Sequence, residues 1–101
     1  MEKPSPPMTI THTEEGSKGA YTAKIEGMPD AELTYSRASS TLIIIDHTGV
    51  PDELRGMGVG VKLVERAVLD ARESGTKIMP LCPFAKAQIQ RHKEWQDVLN
   101  G

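Results

Sequence analysis

The chain has 101 residues, 38% of them hydrophobic and 26% charged, and a formal net charge of −2. Such a length supports one modest core rather than two. So small and negative a charge argues against a general nucleic-acid binder, which needs a basic surface to displace counterions. One Trp, two Tyr and one Phe also leave little to stack on bases. No apolar run approaches the roughly 20 residues that span a bilayer. The start of the chain lacks a basic segment followed by an apolar one, so nothing reads as a secretion signal. These features predict a cytoplasmic protein with neither membrane nor nucleic-acid partners. The single cysteine, Cys82, allows no internal disulfide and no multi-cysteine zinc site.

Residues 1–8, with Pro4, Pro6 and Pro7 among polar neighbours, read as a disordered tail ahead of a single domain over residues 9–101. Thr9–Thr13 reads as a short strand and Glu14–Lys18 as a polar turn about Gly16. Ala20–Glu26 alternates, with Tyr21, Ala23 and Ile25 on one side and Thr22, Lys24 and Glu26 on the other, which predicts a half-buried strand. Gly27–Asp30 supplies turn residues. Glu32–Arg37 is another alternating strand with Leu33 and Tyr35 inward, and Ala38–Ser40 is a small polar turn. Thr41–His47 contains the unbroken run Leu42-Ile43-Ile44-Ile45, which predicts a central strand covered on both faces. His47 closes that strand on the face of Ile43 and Ile45.

A loop with Pro51 then leads into Arg55-Gly56-Met57-Gly58-Val59-Gly60. Behind it Val61–Ser74 has the pattern of an amphipathic helix, with Gly60, Leu63, Val64, Ala67, Val68 and Ala71 in one stripe and Gly75 as its stop. Lys77–Leu81 is a short strand, so the strand–helix–strand order implies a parallel crossover into the same sheet. Cys82-Pro83 breaks it. Phe84–Leu99 predicts a last helix packed through Ala85, Ile89, Trp95, Val98 and Leu99. The fold class is α+β: a mixed sheet, antiparallel meander first and parallel β-α-β crossover at its end, with two main helices as cover.

Three alternate glycines at a helix start admit two readings. They let backbone N–H groups close on an anion, helped by the positive end of the helix dipole, or they only let helix and sheet approach closely. The spacing fits neither the dinucleotide fingerprint nor the P-loop, since Lys62 is followed by Leu63.

Arg55-x-x-Gly58-x-Gly60, after a long central strand and opening a helix, resembles the Gln/Arg-x-x-Gly-x-Gly/Ala signature of the Gcn5-related N-acetyltransferases (GNAT). The chain resembles most a minimal, single-cysteine branch of that superfamily, at Asp46-His47-Thr48-Gly49-Val50, Asp52-Glu53-Leu54, Gly56-x-Gly58-Val59-Gly60 and Cys82-x-Phe84-Ala85-Lys86. The likeness covers Ala20–Leu99. It implies a reduced GNAT-like fold in which acetyl-coenzyme A lies between two diverging strands, Thr41–His47 and Lys77–Leu81. The pyrophosphate would take amides of Gly56, Met57, Gly58, Val59 and Gly60, and the pantetheine would run along Asp46–Val50, touching His47, Thr48 and Val50. The chain lacks the helices that ordinarily follow the first strand of the family fold and build an acceptor pocket.

Cys82, ahead of Pro83, falls at a helix start, where a thiolate is stabilised. It is a candidate to accept the acetyl group or to line the cleft, against the plainer role of a small buried side chain. His47 is a candidate base for an attacking amine, or a paired residue that holds the strand. Lys86 or Arg91, in a basic stretch of the last helix, can meet the adenosine 3′-phosphate or simply form a solvated face, and Arg55 can serve the same phosphate end. Trp95 reads as a core anchor; His12 receives no role. His47, His92 and Cys82 are too scattered to suggest a metal site. The sequence thus predicts a monomeric N-acetyltransferase that takes acetyl-CoA as cosubstrate and an amine of unstated identity as acceptor. The alternative is an acyl-CoA binding or sensing module without turnover.

Overall fold

Strands form where residues alternate, and the computed structural model, which describes residues 8–100, has five: β1 (Met8–Glu15), β2 (Lys18–Ile25), β3 (Ala31–Ser39), β4 (Leu42–Gly49) and β5 (Lys77–Pro80). Helix α1 (Val59–Ser74) joins β4 to β5, and α2 (Pro83–Arg91) follows β5. The sheet runs β1-β2-β3-β4-β5; the first three pairings are antiparallel and β4–β5 is parallel. Met8, placed in the tail by its sequence, belongs to β1 opposite Ile25. The remainder of the expected proline tail lies outside the described residues.

The inner face of the sheet is continuous: Tyr21, Ala23 and Ile25 from β2, Ala31, Leu33 and Tyr35 from β3, Ile43 and Ile45 from β4, and Ile78 from β5 are all buried. Against it α1 lays Val59, Gly60, Leu63, Val64, Ala67, Val68 and Ala71, the stripe its spacing predicts. Gly75 ends this helix in the left-handed region (φ 73°), with its amide on Arg72 and that of Thr76 on the Ala71 carbonyl.

Two expectations need correction. The apolar run of β4 is not covered on both sides. Leu42 and Ile44 are only half-buried on the outer face, where Ile44 lies beside Met79, and both α1 and α2 pack on the inner face. The last helix does not run to Leu99 either. It ends at Arg91, turns at His92, and continues as a 3-10 segment, Lys93–Val98. At about 100° per residue, a straight helix would carry Val98 roughly 140° away from Ala85. It could not bury Ala85, Ile89, Trp95 and Val98 together, as the fold does. The His92 ring stacks on Trp95 at 3.9 Å and bonds the Gln88 carbonyl through Nδ1, which seals the turn. Arg72 grips Asp97 with two nitrogens, at 2.7 and 2.8 Å, tying the segment to α1.

Strand β1 is held by a bond across its neighbour. The Tyr35 ring lies over Gly19 of β2 and reaches β1, where its hydroxyl donates to Glu14 at 2.7 Å. Because that proton is committed to Glu14, His12 Nε2, 2.6 Å away, is the donor in the second contact. Arg37 completes the group with 3.1 Å bonds to Glu14. A Cβ on Gly19 would stand 2.2 Å from the Tyr35 ring, so Gly19→Ala should displace the ring and lower stability by about 1–3 kcal/mol in urea titration.

The Tyr35 hydroxyl and Arg37 hold the Glu14 carboxyl below its ordinary 4.5. A depressed carboxylate adds stability that is complete above its unfolded value and is lost as the pH falls through the folded one. Glu14→Gln should therefore be less stable than the parent at neutral pH and show a flatter loss of stability below about pH 4.5.

Candidate functional site

The site begins where β4 stops following the pleat. Tyr35 pairs with Ile45, but the next residue back on β3, Thr34, pairs with His47, so Asp46 is an extra residue in β4. Its carboxylate accepts from Ser36 Oγ at 2.7 Å, and Ser36 Oγ accepts from Lys18 Nζ at 2.8 Å, so the bulge is fastened on the outer face. The slip reverses every side chain beyond it. His47, expected on the face of Ile43 and Ile45, is exposed on the opposite face, next to Gly49. Thr48 takes the inner face opposite Leu33.

The bulge also ends the contact between β4 and β5. Parallel pairing stops at Ile45 with Pro80, and the Ile45 carbonyl takes the amides of both Leu81 (3.1 Å) and Cys82 (3.2 Å). Past that point residues 46–49 have no backbone pairing with the β5 side among the described residues, and only the Thr48 side chain reaches across, to Cys82. The two chains part there, as the diverging-strand expectation requires.

A cleft of about 390 Å³ opens on the inner side of this parting, lined by Thr48, Val50, Leu54, Arg55, Gly56, Gly58, Val59, Gly60, Val61 and Phe84. Its glycines differ in purpose. Gly56 (φ 80°) and Gly58 (φ 71°) occupy the left-handed region and form the turn onto α1. Gly60 is needed for space: a Cβ there would stand 2.8 Å from the Phe84 ring and 3.2 Å from Val50. Gly56 and Gly58 thus shape the turn, while Gly60 permits close packing against Phe84 and Val50.

The amides of Gly58, Val59, Gly60 and Val61 belong to the N-cap and first turn of α1, ahead of the bond that Lys62 donates to the Gly58 carbonyl. Together with that of Gly56 they have no acceptor among the described residues, and Gly58 provides no side-chain cap. Met57, expected among the anion donors, differs: its amide is spent on the Leu54 carbonyl at 3.3 Å. Arg55 stands at the rim, exposed, 3.3 Å from Asp52. Lys86 and Arg91 are exposed on α2 and do not line the cleft. Leu54, Val61 and Phe84 do, though no sequence motif assigned any of them there; Phe84, an aromatic residue off the packing side of its helix, carried the signal.

Cys82 is the N-cap of α2, with Pro83 in the first turn, and is 6% exposed. It sits behind the cleft wall, its Sγ 3.5 Å from Oγ1 of Thr48, which is part of that wall. Burial pushes the thiol up, but the Thr48 hydroxyl and the nearby amides of Ala85, Phe84 and Thr48 outweigh it, so the thiol lies below its ordinary range. Among the described residues no group of three His, Cys, Asp or Glu side chains could hold a metal ion, and no helix is long and apolar enough to cross a membrane.

Comparison with known proteins agrees with this architecture. Residues 20–98 match the family model of the GCN5-related N-acetyl-transferases. The chain is similar to a GCN5-like candidate N-acetyltransferase from Staphylococcus aureus, solved by NMR. The two are 40% identical, with a TM-score of 0.67, over 90% of this chain and 88% of that one. No curated protein matches the chain. The chain belongs to the GCN5-related N-acetyltransferase family, with an α+β fold of a five-stranded mixed sheet and two main helices.

Proposed function

We propose that the protein is an N-acetyltransferase that uses acetyl-CoA as its cosubstrate. The observation that carries this reading is the set of acceptor-free amides at Gly56, Gly58, Val59, Gly60 and Val61 on the wall of a cleft that ends at Thr48. Such donors suit a diphosphate, and the start of a 16-residue helix adds favourable dipole energy of about 1 kcal/mol. Gly56 and Gly58 have open space where a Cβ would stand, so nothing hinders close approach of phosphate oxygens. Arg55 extends the positive rim, and Lys86 serves the outlying 3′-phosphate.

From the glycine turn the pantetheine runs along the unpartnered edge of β4, past Val50, Thr48 and His47, as an extra strand would. The thioester then lies beside Thr48 and Cys82. In the direct route the amine nitrogen attacks the thioester carbonyl, the C–S bond breaks, and the coenzyme leaves as a thiolate. His47 is the base for this route: it stands on the uncovered outer face of the same strand, the side left open to an incoming amine, and takes the proton that the amine loses. In the two-step route the Cys82 thiolate attacks first, forming an acetyl–cysteine thioester as the coenzyme thiolate departs, and the amine then displaces Cys82. The depressed Cys82 thiol favours this second route.

Calorimetric titration of the full chain with acetyl-CoA tests the reading. Binding should be detected, and the folded state should gain about 2.7 kcal/mol at a hundred times the dissociation constant. A flat titration overturns the proposal. Binding without transfer to any of a panel of amines identifies instead a sensing module. Cys82→Ala should bind acetyl-CoA as the parent does but form no acetylated protein in mass spectra. If it turns over at the parental rate, the two-step route is excluded.

A further inference from the structure

In a regular strand the pleat would have put His47 inside and Thr48 outside. The extra residue Asp46 exchanges them, so a hydroxyl rather than an imidazole reaches the interior where β4 and β5 part. Thr48 Oγ1 lies 3.5 Å from the Cys82 sulfur and makes no other hydrogen bond among the described residues. The Ile45 carbonyl, which could have held the thiol, is already taken by the Leu81 and Cys82 amides. A hydroxyl accepts from a thiol and, by rotating about its C–O bond, donates to a thiolate. No apolar side chain of that shape can do either.

We propose that Thr48 is a positioning residue for Cys82: its hydroxyl, carried inward by the bulge at Asp46, holds the sulfur against the cleft wall and donates to it when the thiol ionises. The proposal rests on the reading that places Cys82 beside the thioester, and adds to it the group that keeps the sulfur anionic and aimed at the cleft. The neighbouring Phe84 and Ala85 amides contribute to the same end. They belong to α2, whereas Thr48 ties the sulfur to β4, across the gap a thioester has to enter.

The test is a pH titration of thiolate ultraviolet absorbance in the full chain, comparing the parent with Thr48→Val and Thr48→Ser. Cys82 is the only cysteine. Tyr35 is pushed up to about 12 by burial and by Glu14, and Tyr21 is raised further by burial and by Asp70, so phenolate does not obscure the thiolate signal. Thr48→Val should raise the thiol midpoint by about one pH unit, a tenfold loss of thiolate below the midpoint, and Thr48→Ser should restore most of it. If the valine variant titrates with the parent, or the serine variant titrates with valine, the hydroxyl has no such role and the proposal fails. Thr48→Ala, which also lacks the hydroxyl, repeats the comparison should valine disturb the fold. No cosubstrate enters this measurement. A failure of acetyl-CoA to bind would therefore overturn the functional reading while leaving these midpoints where they are.

Discussion

One inserted residue governs the geometry of this protein. Asp46 gives β4 a residue that β3 does not match, and the strand responds by turning its remaining side chains over and leaving β5. Without it, parallel pairing could continue past Ile45 and close the gap, and the inner wall would carry His47 in place of Thr48. The anchor is polar and local, Lys18 to Ser36 to Asp46 on the outer face. Its exposed bonds are individually worth little. The bulge is held mainly by the burial of Ile45 on one side of it and of Leu33, opposite Thr48, on the other.

The second constraint is that cover exists on one face only. A chain this short builds one layer of helix against one layer of sheet, and α1, α2 and the 3-10 segment all lie on the inner face. The outer face is left to threonines, charges and the half-buried pair Ile44 and Met79. The start of α1 therefore opens on the packed side, while His47 stands on the bare side.

Much of this was legible in the residues. The α1 stripe, its stop at Gly75 and the alternation of β2 and β3 follow from periods of 3.6 and 2, and each element lies where those periods put it. The glycine turn was legible because Gly56 and Gly58 need a backbone shape other residues resist. The face of His47 was not, since an extra residue changes no period and leaves no mark until β4 is paired with β3. Nor was the contact of Thr48 with Cys82, 34 positions apart in sequence. A run such as Leu42–Ile45 looks the same whether one face or two are covered. The break at His92 was within reach, because the angles of Trp95 and Val98 on a straight helix already disagree with those of Ala85 and Ile89. The amide of Met57 shows the converse case: its place in the glycine turn is plain in the sequence, and its commitment to Leu54 is not.

The sheet order repeats the chain order, β1 to β5. Each strand finds its partner in the segment that precedes or follows it, separated by a tight turn or by one helix, and no strand has to be inserted between two already formed. Contacts of short sequence separation close small loops at low entropic cost, and chains rich in them reach the native state quickly. The architecture can assemble by accretion along the polypeptide. The parting of β4 from β5 then comes late, once α1 has brought Lys77–Pro80 alongside a hairpin already in place.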